Sequence, residues 1–393
     1  MSTTRKAPLG NTFGYYGGFI ALGISMSALG PTLTTLAENT GTVIAEISVL
    51  FLAKSLGYLA GTFLGGRLSD RLPPNALLAI TLIGMALMLA LTPVLSVLWL
   101  LTGVLLILGI GEGILDVGAN TFLIWNHREK VGPWMNGLHF FFGVGAFLCP
   151  LIIDWAQIRT GNITWSYWIL ALMIVPAAMW LLTQKSPRSI VEDEETNGNA
   201  RTDLPLVVLM SAFYFTFMGA ELGFGGWIFT YATKLGLANE STARQMNAMF
   251  WGALTVGRLL TIPAAAYFNP RTILWTNLIG CVASLALMIA VPDNTLILWV
   301  GTFGMGAFMS SMSPTAINFA QTRMTITGKI TGWFLIGGSL GNMFVPWVVG
   351  QFFESVGPLM VMYVIIAAML AGVGIFMAIL AHTRGVAHEG YET

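Results

Sequence analysis

The stretch "LTGVLLILGIGEGILDVGANTFLIW", residues 101–125, decides how this chain can fold. It is long enough to cross the apolar core of a bilayer as a helix, which takes roughly 20 residues. Within it lie two carboxylates one helical turn apart, Glu112 and Asp116, and an amide one turn further, Asn120. The run therefore predicts a membrane-spanning helix. Because acids are costly inside a bilayer, its two acids predict a functional site within the membrane.

The whole chain has a composition that agrees with this stretch. Of its 393 residues, 55% are hydrophobic and 9% are charged, against roughly 25% charged residues in a soluble domain. Equal numbers of basic and acidic residues, 18 of each, indicate no nucleic-acid partner. Cys149 and Cys281 both lie in apolar runs, so neither a disulfide framework nor a cysteine metal site is predicted. We predict a multi-pass membrane protein.

The apolar runs are continuous, which favours helices over the alternating strands of a barrel. Twelve spanning helices are predicted, at 11–37, 42–66, 76–95, 98–125, 133–156, 164–184, 204–234, 240–267, 270–291, 294–324, 325–351 and 357–382. With the N-terminus in the cytoplasm, thirteen lysines and arginines fall in the inner segments and three in the outer loops. Because basic residues accumulate in cytoplasmic loops, both termini are predicted to be cytoplasmic.

The longest polar stretch, "QKSPRSIVEDEETNGNARTD" at 184–203, has the composition of a linker. It predicts six-helix bundles at 1–184 and 204–393, joined by a cytoplasmic linker at 185–203. The two halves echo each other weakly, since "GLHFFFGVGAFLCPLI" and "GWFLIGGSLGNMFVPWVVG" both carry a small-residue face and a late proline. Two similar halves of membrane helices are typical of transporters.

The stretch "GGRLSDR", residues 65–71, resembles the signature loop of the major facilitator superfamily. Five residues match that loop: Gly66, Leu68, Ser69, Asp70 and Arg71. Proline and asparagine replace the glycine and basic residues that would follow. The resemblance extends over essentially the whole chain. It implies an all-α membrane protein of twelve transmembrane helices in two pseudo-symmetric six-helix bundles, with transport by alternating access.

A narrower resemblance is to sugar symporters of the fucose–galactose–hexose type and to the sodium-dependent glucose transporter-like branch. It rests on "GILDVGAN" at 113–120, on His139, and on "GAELGFGGWIFTYA" at 219–232 with Glu221 and Trp227. The first predicted helix lacks the acid that the fucose symporter has there. We therefore do not expect this chain to use the complete ion-coupling scheme of that symporter.

Several ionisable residues inside the predicted spans are candidates for coupling and gating. Asp116, Glu112 and Lys54 are the predicted ion-coupling set. Two neighbouring acids suit a proton that loads and unloads, and carboxylate and amide oxygens could equally hold Na⁺ at Asp116. Alternatively, Lys54 or Arg258 neutralises one acid in a structural ion pair. The predicted gating motif is Gly66, Asp70, Arg71 and Arg258.

Residues suited to bind a polyol are spread over both halves. Sugar recognition needs paired donors and acceptors together with an aromatic platform. The predicted substrate-binding residues are Glu221, His139, Asn120, Asn318, Asn342, Trp251 and Trp333. Each also has an ordinary packing interpretation, most directly an acid bound to a neighbouring helix for Glu221 and a core aromatic for Trp251.

The chain carries no phosphate loop, HExxH, GxSxG or CxxC motif, so no enzyme is predicted and active transport would draw on an ion gradient. We expect a monomeric carrier in a cell membrane, in particular a bacterial inner membrane. It would import a neutral sugar, in particular a hexose, with H⁺ or Na⁺ and no other cofactor. The alternatives are an exporter of drugs or metabolites by proton antiport and, from another class, a membrane sensor.

Overall fold

The structure, a computed structural model, describes residues 9–69, 71–187 and 203–384. These residues form helices joined by short loops and no strand, which confirms the predicted all-α fold. Asp70 of the predicted gating motif and most of the predicted linker lie outside the described residues. The helices are α1 Leu9–Ser27, α2 Leu33–Thr40, α3 Ile44–Ile47, α4 Val49–Ser69, α5 Pro74–Leu91, α6 Leu98–His127, α7 Gly132–Thr160, α8 Ile163–Thr183, α9 Leu204–Lys234, α10 Glu240–Ala264, α11 Pro270–Ala290, α12 Thr295–Met309, α13 Met312–Gln321, α14 Gly328–Val356 and α15 Met360–His382.

Most of these helices have the length and composition of membrane spans. Within the described ranges, ten helical segments are long and apolar enough to cross a membrane. An eleventh is added when α1 and the segment Gly30–Thr40, bent by 45° from it, are taken as one span. The remaining predicted span corresponds to α10, which has 25 residues but carries Glu240, Arg244 and Asn247 in its first half. Those polar residues lower its hydropathy, although it folds as a helix of spanning length.

Three predicted helices, 11–37, 42–66 and 294–324, are broken in the structure, so those predictions were wrong at the breaks, two of which lie at prolines. Pro31 cannot donate a backbone hydrogen bond to the carbonyl of Ser27, where α1 ends. Pro314 likewise leaves the carbonyl of Ser310 without its helical partner, and α12 ends one residue earlier. Hydropathy did not reveal either break, because proline is tolerated within membrane spans.

The described residues separate into two compact units, one of 9–42 and 56–187 and the other of 43–55 and 203–384. In the first unit α7 packs against α1 through Gly145, where a Cβ would overlap the carbonyl oxygen of Ile20. In the second, α9 packs against α14 through Gly341, where a Cβ would overlap the carbonyl oxygen of Phe215. The glycine-rich faces of α7 and α14 thus serve the same purpose, which is close approach of helix backbones.

Glycines also bring α4 close to α6, the helix that carries the two central acids. Gly57 and Gly61 recur four residues apart on α4, and a Cβ on them would overlap the carbonyl oxygens of Leu106 and Ile110. Gly113 of α6 faces back onto the Tyr58 carbonyl in the same way. Without a hydrophobic driving force in lipid, such close packing is a main source of helix association. This packing fixes the distance between α4 and the acids of α6.

We predict that Gly61→Ala destabilises the protein and that Gly103→Ala does not. The new methyl at position 61 would meet backbone of α6, whereas Gly103 has open space around its Cβ position. Overpacking of this kind costs about 1–3 kcal/mol, and alanine is otherwise the better helix former. Thermal unfolding of the two variants in detergent measures the difference. Equal melting temperatures would show that the α4–α6 contact is not tight.

Candidate functional site

Asp116 on α6 is the centre of a hydrogen-bonded group in the first unit. The Tyr58 hydroxyl of α4 donates to its Oδ2. The side-chain nitrogen of Asn120 donates to its Oδ1 at 2.9 Å and to its backbone oxygen at 2.8 Å. Both carboxylate oxygens therefore accept a hydrogen bond while the side chain stays partly exposed. Such a carboxylate is stabilised as an anion, yet can still be reached by an ion.

Glu112, one turn earlier on α6, has a different neighbour. It is 1% exposed and accepts a hydrogen bond from the Ser25 hydroxyl of α1 at 2.5 Å. The two acids that the sequence places on one stripe are thus bound to two different helices, Glu112 to α1 and Asp116 to α4. The stripe connects three helices of the first unit.

Lys54, the third predicted ion-coupling residue, is buried at 8% exposure. It lies on the portion of α4 that belongs to the second unit. Its part in coupling stays a prediction.

In the second unit, Glu221 of α9 faces Arg258 of α10. Arg258 Nη2 lies 3.7 Å from Glu221 Oε1, with side-chain exposures of 24% and 18%. The Nε of Arg258 also donates to the backbone oxygen of Ser310 at 3.0 Å. That oxygen is the acceptor which Pro314 deprives of its helical partner. Arg258 therefore closes the break between α12 and α13 and approaches Glu221 with the other end of its guanidinium group.

Trp251 of α10 is buried, and its Nε1 has no hydrogen-bond partner among the described residues. A turn earlier, Asn247 donates from its Nδ2 to the Gly225 carbonyl at 2.5 Å, while its Oδ1 lacks a partner in the same part of the chain. Gly225 makes room for the indole ring, since a Cβ there would lie 2.7 Å from it. Asn342 of α14 also has a buried Oδ1 without a partner among the described side chains and backbone. Each of these atoms in the second unit can still form a hydrogen bond.

The other predicted substrate residues lie at exposed positions. His139 is exposed and makes an edge-to-face contact with Phe19, with ring centroids 5.7 Å apart. Asn318 is exposed, and Trp333 is 50% exposed. Among the described contacts of the second unit, none joins Asn318 or Trp333 to the Glu221–Arg258 group. Trp227, which the resemblance singles out, is buried and donates to the Pro346 carbonyl at 2.9 Å, so it packs α9 against α14.

The predicted gating motif lies at the end of α4. Gly66 and Arg71 are exposed. Where the sequence departs from the motif, the Asn75 side chain accepts from the Tyr15 hydroxyl at 3.0 Å and donates to Asn11 at 2.9 Å. It also donates to the Gln184 carbonyl at 3.1 Å. The substituted residue thus ties the start of α5 to α1 and to the end of α8.

Three residues of these groups were not predicted from the sequence: Ser25, Tyr58 and Asn247. Serine, tyrosine and asparagine recur throughout the apolar runs, and nothing in their local sequence marks these three. What sets them apart is their register against a residue on another helix. No group of three or more His, Cys, Asp or Glu side chains that could hold a metal ion occurs within the described ranges.

Comparison with known proteins gives the chain its place. The family model of the Major Facilitator Superfamily matches residues 15–346. The sodium-dependent glucose transporter 1A of Mus musculus is 31% identical over 375 residues, which are 85% of this chain and 88% of that protein. The sodium-dependent glucose transporter 1 of Xenopus laevis is 32% identical over 356 residues, covering 83% of this chain and 72% of that protein.

Among solved structures, the xylose transporter XylE from E. coli matches with a TM-score of 0.77. The match covers 94% of this chain and 98% of that chain at 11% identity, and so it supports the fold alone. The resemblance to the sodium-dependent glucose transporter-like branch is confirmed by the relatives of mouse and frog. Since the family model spans most of a multi-pass helical chain, this protein belongs to the major facilitator superfamily of membrane transporters.

Proposed function

We propose that this protein is a secondary active carrier that imports a neutral sugar, in particular a hexose, together with a cation bound at Asp116. The relatives of mouse and frog are named as sodium-dependent glucose transporters, which supports the sugar. The observation that carries the coupling is the state of Asp116. It is an acid within a span, partly exposed, with a hydrogen-bond donor on each oxygen.

An acid at this depth is costly to keep charged, so it favours a cation that neutralises it. Binding the cation weakens the hydrogen bond that Tyr58 donates to Asp116, because a neutralised carboxyl is a weaker acceptor than a carboxylate. The hydroxyl and the acid sit on two helices in close glycine contact. Occupancy of the ion site would thereby be communicated from α6 to α4.

The second unit supplies groups for the sugar. Hydroxyls of a neutral sugar each donate and accept, so they need both kinds of partner. Glu221 accepts, Arg258 donates, and at 3.7 Å their contact is longer than a good hydrogen bond. Both side chains therefore retain capacity for a polar ligand. The buried ring of Trp251, one to two turns from Arg258 on α10, offers an apolar face for a pyranose ring.

The geometry around Asp116 favours H⁺ as the coupling ion. Tyr58 and Asn120 both direct N–H or O–H groups at the carboxylate. A sodium ion would instead need several oxygen lone pairs facing it. A proton requires only the carboxylate itself.

Sodium is the second candidate, and the names of the mouse and frog relatives favour it. Rotation of the Tyr58 hydroxyl would turn its oxygen lone pairs toward Asp116 and create a better cation site. We also propose that both termini are cytoplasmic, on the basis of the basic residues in the predicted inner segments.

Asp116→Asn is expected to abolish gradient-driven accumulation of labelled glucose in proteoliposomes while sugar exchange continues. Asparagine keeps the size and can hydrogen-bond, but it cannot carry the charge that an ion neutralises. The matched control is Asp293→Asn, an exposed acid between α11 and α12, which should accumulate glucose normally. Full accumulation by Asp116→Asn would remove Asp116 from coupling.

The ion is identified by imposing one gradient at a time. In sodium-free vesicles, a pH gradient that is acid outside should drive glucose uptake, and a protonophore should stop it. A sodium gradient at equal pH should drive none. The reverse pattern would replace H⁺ by Na⁺ in the mechanism, and glucose uptake that depends on neither gradient would establish uniport.

A further inference from the structure

Three buried polar atoms without a hydrogen-bond partner among the described residues lie in the second unit on α10 and α12. They are Asn247 Oδ1, Trp251 Nε1 and Thr302 Oγ1. The exposures of these side chains are 0%, 3% and 0%. Buried polar groups in folded proteins nearly always have a hydrogen-bond partner, so several such atoms without one in the same region call for an explanation.

The packing of α10 against α12 brings the three atoms to one level. The Thr295 hydroxyl at the start of α12 donates to the Leu237 carbonyl, three residues before α10 begins, at 3.0 Å. Further along, a Cβ on Gly306 would overlap the carbonyl oxygen of Phe250. The two helices therefore run side by side in the same direction. Thr302, one turn before Gly306 and on the same face, lies beside the turn of α10 that carries Asn247 and Trp251.

The third wall is the glycine-rich part of α9. Because the Gly225 carbonyl can only accept, it fixes the amide of Asn247 with Nδ2 toward α9 and Oδ1 away from it. The ring of Trp251 fills the space that a side chain at Gly225 would take. The amide and the indole thus both border Gly225, and Thr302 lies on the neighbouring helix α12 at the level of Asn247.

A threonine in the next turn of α10 shows what the ordinary arrangement looks like. The hydroxyl of Thr255 donates to the Trp251 carbonyl, four residues earlier, at 2.7 Å. Among the described residues, other helical threonines donate to a carbonyl three or four residues earlier, as at Thr62, Thr81 and Thr102. Thr302 is buried and departs from that pattern.

We propose that Asn247, Trp251 and Thr302 form a subsite for one hydroxyl group of the transported sugar. The proposal rests on the proposed sugar transport. The indole N–H donates to the oxygen of the sugar hydroxyl, and the sugar hydroxyl donates to Asn247 Oδ1. The Thr302 hydroxyl donates to the second lone pair of the sugar oxygen. Glu221 lies four residues before Gly225 on the same face of α9, about 6 Å along the axis. A hexose held at Glu221 spans that distance.

The chemistry that the subsite recognises is a hydroxyl, which a trapped water molecule also offers. A sugar hydroxyl and a water differ in one measurable respect. Only the sugar hydroxyl can be deleted by choosing a different substrate. The test therefore compares the parent sugar with its series of monodeoxy analogues.

The decisive variant is Thr302→Val, which replaces the hydroxyl by a methyl of nearly the same shape. Half-saturation for exchange of glucose and of each monodeoxyglucose is measured in proteoliposomes. We expect Thr302→Val to raise the value for glucose about tenfold, which is what one hydrogen bond to a buried partner is worth. One analogue, the sugar lacking the bound hydroxyl, should be unaffected by the substitution. The melting temperature of the sugar-free protein should not fall, because the orphan atom is removed.

Thr255→Val is the matched control, since its hydroxyl is already bonded to backbone. It should change the half-saturation of all sugars equally or not at all. Trp251→Phe should select the same deoxy analogue as Thr302→Val, and the double variant should lose no further affinity for glucose. Asn247 is unsuitable for this test because its Nδ2 also holds Gly225.

The outcomes separate the subsite from the transport function. If Thr302→Val weakens glucose and every monodeoxy analogue equally, the guest is a water or the role is packing, and the subsite proposal is wrong while sugar transport stands. A wild-type protein that exchanges none of the sugars would overturn the proposed function and the subsite with it. Selection of different analogues by the two variants would also overturn the subsite.

Discussion

The constraint on which this structure depends is that the apolar core of a bilayer offers no hydrogen bonds. Every polar group placed there must find its partner inside the protein. For the backbone, the helices meet this demand by themselves, except where proline removes a donor. The break at Ser310 shows the consequence, because the released carbonyl oxygen is taken by the side chain of Arg258. Arg258 of α10 is therefore held by two interactions, a hydrogen bond to that carbonyl and an ion pair with Glu221.

The same constraint organises the side chains of the first unit. Asp116 is satisfied by Tyr58 and Asn120, and Glu112 by Ser25. The bond between Tyr58 and Asp116 is made across the α4–α6 contact, where glycines bring the helix backbones together. Close packing and polar pairing support each other there, because a tyrosine can reach an acid reliably only when the distance between its helix and the next is fixed. The second unit differs, since several of its buried polar atoms have no partner among the described residues, and this is where we propose that a sugar hydroxyl binds.

Much of the fold follows from the sequence alone because its signals are local. A continuous apolar run predicts a spanning helix whatever surrounds it, and α6 and α9 extend over nearly the predicted ranges. The interrupted helices were missed because proline is tolerated inside membrane spans, as at Pro150 and Pro176, so a proline in the sequence does not by itself mark a break. The candidate acids were also visible in the sequence, since a charge inside an apolar run is conspicuous by itself. Tyr58, Ser25 and Asn247 were not, because each matters only through a residue distant in the chain.

The sequence by itself determined the environment of this protein, the order of its apolar spans, its family resemblance and the stripe of Glu112, Asp116 and Asn120. All of these depend on composition, on periodicity along one helix, or on a short motif. Only the tertiary structure decided that Glu112 is bound to α1 and Asp116 to α4, that Arg258 serves a broken helix, and that Asn247 is bound to the Gly225 carbonyl. The physical reason is that these relations depend on the rotation and register of one helix against another. Those are set by the packing of side chains on both helices together, and no single stretch of the chain contains them.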